Sequence, residues 1–573
     1  MHRARDFFFF GGMIVYFPQS TNIFHSCRAP QTEQNFRIAF GGSLWYNSVW
    51  SGGWWGLGGE KWGAQKGILI MSDKSHQIAK KFIHWNARHP IPLVMLFCLV
   101  TGMLLGFLPT LPHQRGGAWG MMGSAGVLLV VWSVLLFRKK CPSWGHGVFW
   151  WGIGYFLRMG YILRFPYWQM QHDVGDFSMS DHHAGYILYL YNGGGLPDFD
   201  VREVWQFYHP PFHHLLCAVW MHLMHAVGMG EEQMYEAVQV LPCAYSCAAL
   251  AIFGLILRHF KLEGWRFVMP LAVFAVHPSL IILGGSINND MLCVLLMMAS
   301  LLLTLRWFEN PKYSTILGLA LTIGLAMFTK LSGWLAAPAA ACLFLLRFLW
   351  DKDDRKRLFT QFLGFGAVCV PIGLFIPVRN FVRFGVPLAY VPRIADDSEQ
   401  YIGDISPLRR LLDFSPDQFR YIYDCFTMYG QDYNEYNPLI GLLKTAVFDE
   451  FINTDRFPAV AGFGEALFWT QVVLSGCALF SMIACLRQRE RSAEKMALFL
   501  TYSITLLSYV SFCLTYPHTC TQSFRYAVPV LYTSLVFLGL HEPPKWGRVV
   551  EIAASVGFCG AALFVECALH ATN

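Results

Sequence analysis

The sequence predicts an all-α integral membrane protein that crosses the bilayer many times. Hydrophobic residues make up 55% of its 573 residues and charged residues only 14%, a balance outside the range of soluble globular chains. Apolar runs of about 17 to 25 residues, the length of a membrane-spanning helix, recur along the chain after Pro90. These observations predict a bundle of about 13 transmembrane helices.

The predicted spans follow one another in a regular order. They cover residues 91–111, 120–137, 147–165, 237–257, 267–284, 290–308, 314–330, 332–350, 360–378, 463–486, 496–515, 525–541 and 549–569. If they alternate in direction, the basic residues near 80–88, 138–140, 258–266, 352–357, 487–495 and 545–548 share one side. The positive-inside rule makes that side the cytosol. We expect the loops 166–236 and 379–461, and any active site in them, to be non-cytosolic, in a bacterial plasma membrane or the endoplasmic reticulum.

The first 70 residues differ from the rest of the chain. Residues 41–67 are rich in Gly and Trp and lack helical or alternating periodicity. A cationic, amphipathic segment begins at Met71 and leads into the first predicted span. We therefore expect residues 1–70 to be a disordered or mis-assigned extension, and residues 71–573 to form a single transmembrane domain.

One apolar segment, Pro210 to Val227, is read as a helix lying in the membrane interface. Counting it as a span would place most later basic loops outside the cytosol. Its histidines sit among Leu, Trp and Met, as in a helix with one wet and one apolar face. A shorter amphipathic helix, Asp181 to Tyr191, precedes it. The first large outside loop is thus expected to carry two interfacial helices.

Charge and cysteine content exclude some classes of function. The net charge of +6 is spread over short loops, so it reports topology and gives no sign of nucleic-acid binding. The 16 cysteines form no CxxC pair and suit small buried side chains. Cys425 and Cys520, both in predicted outside loops, are the one pair considered for a disulfide.

Acidic residues concentrate just after the predicted span 147–165. Six carboxylates lie within this stretch: Asp173, Asp176, Asp181, Asp198, Asp200 and Glu203. Asp173 follows the span directly and precedes Gly175, which allows a tight turn. It is either a general base facing a cavity at the membrane surface or a solvated loop acid. Asp176 and Asp181 are also explained as helix caps.

A second polar group is expected at the same side of the membrane. Asn289 and Asp290 lie in a short turn between two spans, where they either cap a helix or face a polar site. Lys330, Arg379 and Arg525 each fall at an outside helix end. A lone cation there usually extends to the headgroups, but three opposite a cluster of acids indicate a phosphate site beside a carboxylate.

Histidines are frequent in the first outside loop. Eight of the 20 occur there: His172, His182, His183, His209, His213, His214, His222 and His225. His209 and His213 have an i, i+4 spacing that can hold a metal, but no complete ligand motif is present. We therefore expect no metal, and expect these histidines to bond headgroups, substrate or neighbouring acids.

Taken in order, these features resemble the C-type membrane glycosyltransferases. The shared pattern comprises Asp173 after a membrane helix, two interfacial helices with a proline at the start of the second, the Asn288-Asn289-Asp290 turn, the Thr329-Lys330-x-x-Gly333 turn and the late Arg525-Tyr526 pair. It is most similar to the family 39 group, which includes lipid A aminoarabinose transferases and protein O-mannosyltransferases. The resemblance covers about residues 150–382, and Arg525-Tyr526 beyond.

The resemblance implies a reaction and roles for named residues. A sugar would move from a polyprenyl-phosphate donor to a hydroxyl of a glycan, lipid or protein acceptor, with inversion and without a further cofactor. Asp173 would be the base and Asp290 the second acid, with His209 in the position where relatives carry an acid or lysine. The substrate and phosphate contacts would come from Lys330, Arg379, Arg525, Tyr526, Asn289, His172 and Asp176.

A transporter or flippase for a lipid-linked or small anionic substrate is the main alternative. Transporters usually place ionisable residues near the bilayer midplane, between repeated halves. This chain keeps its acids at one interface and shows no internal repeat. Release of free polyprenyl phosphate from a sugar-charged lipid would separate the two functions.

Overall fold

Helices make up nearly all of the regular structure in the computed structural model, which describes residues 96–102, 104, 115–395, 397–425 and 435–572. The predicted extension 1–70, the start at Met71 and most of the predicted span 91–111 lie outside the described residues. Within the described ranges no strand occurs, and one isolated bridge pairs Tyr401 with His518. The all-α prediction is confirmed.

Nine helices lie between residues 115 and 309. They are α1 (Arg115–Phe137), α2 (Ser143–Arg164), α3 (His182–Tyr191), α4 (Phe212–Ala226), α5 (Glu231–Ala237), α6 (Val240–His259), α7 (Trp265–Val276), α8 (Pro278–Leu283) and α9 (Asp290–Glu309). The predicted span 267–284 is broken between α7 and α8, where Pro278 follows His277. Because proline disfavours helical conformation in the preceding residue, the helix ends there.

The second half continues from α10 (Tyr313–Thr329). It contains α11 (Ala337–Trp350), α12 (Arg355–Phe384), α13 (Pro407–Leu412), α14 (Pro438–Phe448), α15 (Phe463–Leu486), α16 (Ser492–Thr515), α17 (Val528–Leu540) and α18 (Lys545–Ala571). Short 3₁₀ helices lie at Leu331–Ala336, Pro416–Phe419, Pro458–Val460, Thr519–Gln522 and Phe524–Tyr526. Two of these, Leu331–Ala336 and Phe524–Tyr526, contribute residues to the lining of a cavity.

The described helices are those of an integral, multi-pass membrane protein. Eight helical stretches are long and apolar enough to cross a bilayer: Gly116–Phe137, Glu231–His259, Asp290–Glu309, Leu331–Trp350, Arg355–Phe384, Phe463–Leu486, Ser492–Thr515 and Lys545–Ala571. Four shorter apolar helices accompany them: Trp265–Val276, Tyr313–Thr329, Pro438–Phe448 and Val528–Leu540. The expected number of about 13 spans stays a prediction.

The two predicted interfacial helices correspond to α3 and α4. With 10 and 15 residues, both are shorter than the roughly 20 residues needed to span a bilayer. They pack against each other, and α4 buries His213, His214 and Met221 on one face while Val219 and Leu223 stay exposed on another.

The second outside loop differs from expectation in two ways. Helix α12 continues past Arg379 to Phe384, so Arg379 lies within a helix instead of after one. The loop also contains the apolar helix α14, which packs on α8 and α15 and buries Ile440, Val447 and Phe448. The sequence patterns did not predict this buried helix.

The disulfide considered for Cys425 and Cys520 is not formed. Both side chains are free thiols. Most cysteines in the described residues are buried, in agreement with their reading as small apolar side chains.

Candidate active site

A cavity of about 320 Å³ lies where five segments distant in sequence meet. These are the loop after α2, the segment before α4, the start of α9, the end of α10 and the 3₁₀ turn before α17. Its ionisable lining residues include Asp173, His209, Asp290, Lys330, Arg525 and Tyr526. Much of the remaining lining is apolar and comes from α9, α12 and the loop after it, α16 and the segment after Lys330, with Met297, Leu331, Trp334, Leu335, Ile376, Pro377, Leu388 and Phe512.

Four charges form one network at the polar end. Arg525 donates from Nη2 to Asp173 Oδ2 at 2.7 Å, and its Nη1 lies 3.9 Å from Asp290 Oδ2. Lys330 Nζ donates to Asp290 Oδ1. Two cations thus face two carboxylates, and the resting network is balanced in formal charge.

Tyr526 completes this network. Its hydroxyl accepts a hydrogen bond from Arg525 Nη2 at 2.8 Å. The Lys330 ammonium lies 4.9 Å from the centre of the Tyr526 ring, within the range of a cation–π contact. Tyr526 therefore fixes both cations toward the cavity.

The loop that carries Asp173 is fastened to the turn before α9. Gln171 donates from Nε2 to the Gly285 carbonyl at 2.9 Å and accepts from the Ile287 amide at 3.0 Å. The next carbonyl, that of His172, accepts from Asn288 Nδ2 at 3.5 Å. These contacts hold Asp173 beside the segment that carries Asp290.

The asparagines of that turn hold Asp290 and Lys330 together. Asn288 Oδ1 accepts from the Asp290 amide at 3.0 Å, and Asn289 Nδ2 donates to the Thr329 carbonyl at 3.1 Å. Both asparagine side chains are fully buried. Asn289 does not line the cavity and acts on Lys330 through the backbone before it.

Asp173 has the exposure and the backbone expected of a reactive loop residue. Its φ is +55°, a left-handed conformation that Asp tolerates better than most residues. Its side chain remains 40% exposed, whereas that of Arg525 is 6% exposed. Partial burial would raise the pKa of Asp173, but the charge and hydrogen bond of Arg525 outweigh it and lower this pKa. Asp173 is therefore ionised and able to accept a proton at neutral pH.

His209 also lines the cavity and belongs to a neutral group of histidines. The rings of His209 and His183 stack with centres 5.5 Å apart, and His183 Nδ1 lies 2.8 Å from His214 Nε2. Burial, followed by the charge of Lys330, lowers the pKa of His209 to about 3. His209 is a neutral donor and acceptor at physiological pH. It precedes α4, so it does not share a helix face with His213.

His172 is buried on the far side of the Asp173 loop. Its Nε2 lies 2.8 Å from Asp449 Oδ1, and its Nδ1 contacts Glu450 Oε1. Burial would lower the pKa of His172, but these two carboxylates outweigh it and raise the pKa to about 10. The resulting imidazolium ties the loop to the end of α14 and does not line the cavity.

Two groups in the described part of the chain have ligand types and spacing that could hold a metal ion. One is His172 with Asp449 and Glu450, and the other is His259 with Glu309 and Glu494. Neither contains a residue of the cavity lining.

Two other expected contact residues, Arg379 and Asp176, do not line the cavity, although Asn380, which Arg379 contacts, does. Arg379 donates to Asn380 Oδ1 at 2.8 Å and to the Pro197 carbonyl. Asp176 accepts from the Tyr167 hydroxyl at 3.0 Å and the Ser178 amide at 2.7 Å. Both join segments of the outside loops.

Several lining residues carried no clear signal in the sequence. Gln206 and Tyr390 contribute polar groups from loops, and Thr505 contributes a hydroxyl from inside the apolar helix α16. A single Thr or Gln in such a segment has no distinctive pattern. The positions of Asp449 and Glu450 against His172 could not be predicted either, since nothing local links them.

Comparisons with known proteins give a coarse likeness in fold. No protein-family model matches the chain, and no curated protein matches it by sequence. Among solved structures it is similar to ArnT from Cupriavidus metallidurans, crystallised with bound undecaprenyl phosphate, at 14% identity and a TM-score of 0.30. The match covers 76% of this chain and 77% of that chain.

Proposed function

We propose that the protein is a C-type membrane glycosyltransferase that moves a sugar from a polyprenyl-phosphate donor to an acceptor hydroxyl at the non-cytosolic membrane face. The observation that carries this proposal is the cavity itself, which joins a cluster of two cations and two carboxylates to an apolar lining. Such a lining fits an amphiphile with an anionic head. The acceptor is a glycan, lipid or protein hydroxyl.

The cations suit the phosphate of the donor. Arg525 offers a planar guanidinium that can bind two phosphate oxygens, and Lys330 adds a second positive charge. Apolar side chains such as Met297, Leu335 and Phe512 lie in the same lining, where they suit the first part of a prenyl chain. The size of the cavity is within the range of small-molecule sites.

Asp173 is the proposed general base. It removes the proton from the acceptor hydroxyl as the acceptor oxygen bonds to the anomeric carbon. The bond between that carbon and the phosphate oxygen breaks in the same step, and polyprenyl phosphate leaves with the electron pair. A single displacement of this kind inverts the configuration. Arg525 and Lys330 stabilise the charge that grows on the leaving phosphate.

The pairing of Asp173 with Arg525 suggests an order of events. In the structure the guanidinium bonds the carboxylate at 2.7 Å. A donor phosphate competes for the same guanidinium, and its negative charge raises the proton affinity of Asp173. Donor binding would therefore make Asp173 a stronger base just when the sugar is present. Acceptor binding would follow donor binding.

The proposal is tested with purified protein and a polyprenyl-phosphate hexose. If the protein is a glycosyltransferase, free polyprenyl phosphate and glycosylated acceptor form in equal amounts. The Asp173→Asn variant should form neither product but should still bind the bare lipid phosphate. A protein that moves the intact lipid or its headgroup across a vesicle membrane without breaking the glycosidic bond would be a transporter.

A further inference from the structure

One wall of the cavity is polar but uncharged. It is formed by Gln206, Tyr208, His209 and His183, from the segment between α3 and α4 and from α3 itself. The charged residues of the lining, Asp173, Asp290, Lys330 and Arg525, are already paired with one another. The uncharged wall therefore contains no cationic side chain that could bind an anionic ligand.

Gln206 has a buried polar atom without a partner. The residue is 2% exposed, and its Oε1 makes no hydrogen bond. Leaving a buried carbonyl unpaired costs free energy unless a ligand or water supplies the donor. Oε1 is shielded from solvent, but Gln206 lines the cavity, so a rotation of its side-chain amide lets a ligand hydroxyl supply the missing donor.

The neighbours of Gln206 are aromatic and neutral. The backbone carbonyl of Gln206 accepts a hydrogen bond from the backbone amide of His209 at 3.2 Å, so the two residues form one turn. The Tyr208 ring lies 4.2 Å from the His209 ring and 5.9 Å from the Tyr390 ring, centre to centre. Burial, followed by His214, also lowers the pKa of His183. Neutral imidazoles, an amide and aromatic rings suit a ligand with hydroxyls and C–H faces.

We infer that this wall is a subsite for an uncharged sugar ring, in which Gln206 Oε1 accepts a hydrogen bond from a ring hydroxyl. The inference rests on the proposed function and specifies its substrate class. The ring is either the sugar that is transferred or the sugar of a glycan acceptor. A ring carrying phosphate or carboxylate would be disfavoured, because the four site charges are already balanced and the donor phosphate adds a negative one.

The first test uses Gln206→Met, which keeps the length of the side chain and removes its carbonyl group. Its matched control is Gln471→Met, at a buried glutamine of α15 that also has an unpartnered Oε1 and does not line the cavity. The probes are undecaprenyl phosphate and undecaprenyl-phosphate mannose. Retained binding of the bare lipid shows that the variant is folded.

If the transferred sugar occupies the subsite, Gln206→Met weakens binding of the mannosyl lipid roughly 10-fold and leaves the bare lipid unchanged. If the acceptor sugar occupies it, both lipids bind normally and the KM for octyl mannoside rises by a similar factor, while octyl mannoside 6-phosphate is a poorer acceptor of the wild type. Equal KM and Kd values in the variant and wild type, or a preference for the phosphorylated glycoside, would overturn the inference.

A second measurement needs no variant and applies if Gln206→Met does not fold. The wild type is given mannosyl lipids and mannosides that each lack one hydroxyl. Removing one particular hydroxyl should either weaken binding of the mannosyl lipid roughly 10-fold or raise the KM for the mannoside roughly 10-fold. Uniform values across both the lipid and the mannoside series would refute the subsite. A wild type that never releases polyprenyl phosphate would instead refute the glycosyltransferase proposal.

Discussion

Arg525 Nη2 lies 2.7 Å from Asp173 Oδ2, although the two residues are 352 positions apart in the chain. The pair joins the first outside loop to the turn before α17. It brings the proposed base and the proposed phosphate ligand into one contact. The consequences of this contact can be tested residue by residue.

Replacing Asp173 by Asn should remove transfer while leaving lipid binding. The amide cannot take the acceptor proton, so the turnover rate should fall by roughly 10²- to 10⁴-fold. Asp176→Asn is the matched control, because Asp176 belongs to the same loop but bonds Tyr167 and Ser178. Near-normal turnover in Asp173→Asn would refute its role as base.

Replacing Arg525 by Gln should weaken the donor phosphate site. Loss of a charge-assisted contact predicts a rise of roughly 10- to 100-fold in the Kd for undecaprenyl phosphate. Arg379→Gln should change this Kd less, since Arg379 does not line the cavity and bonds the Asn380 side chain and the Pro197 carbonyl. Equal effects of the two variants would show that the site extends to Arg379.

The Lys330–Asp290 pair should show coupled effects on stability. The side chains are 14% and 5% exposed, so removing one charge leaves the other poorly solvated. Lys330→Gln and Asp290→Asn should each lower the thermal midpoint by several degrees, and the double variant should lose less than the two losses together. Strictly additive losses would mean that the two side chains do not interact.

The His172 contact predicts a stability that falls at alkaline pH. Asp449 and Glu450 raise the pKa of His172 in the folded state to about 10, above its ordinary value of about 6.5. The stabilisation of the folded state by the His172 imidazolium is therefore complete below a pH of about 6.5 and is lost as the pH rises through about 10. Between pH 7 and 10 the thermal midpoint of the wild type should fall more steeply than that of His172→Gln.

The control for this measurement is His225→Gln, at an exposed position of α4. It should keep the slope of the wild type. Identical slopes in the wild type and His172→Gln would show that the imidazolium contact does not contribute to stability.

Much of the helical framework could be predicted from the sequence, because long apolar runs in a membrane have few alternatives to helix. The sequence also allowed a prediction that Asp173, Asp290, Lys330 and Arg525 lie near one another. Each lies at or just past the end of a predicted span on the same side, so the four share one level even before their neighbours are known.

The contacts between those helix ends could not be predicted. Arg379 and Arg525 were both expected to contact phosphate, but only Arg525 lines the cavity. Within α12 the neighbouring Asn380 lines the cavity, whereas Arg379 donates to the Pro197 carbonyl. His172 seemed a substrate ligand next to Asp173, yet adjacent residues point to different sides of the loop. Helix α14 was missed because its 11 residues are too short for a span and its apolar face is buried by α8 and α15.

The most direct measurement of the central claim is the fate of the lipid in the purified, reconstituted protein. With undecaprenyl-phosphate mannose and an uncharged glycoside, mass spectrometry should detect free undecaprenyl phosphate and mannosylated glycoside in a one-to-one ratio, and neither product with Asp173→Asn. Intact mannosyl lipid recovered from both leaflets, with no glycosylated product, would contradict the account.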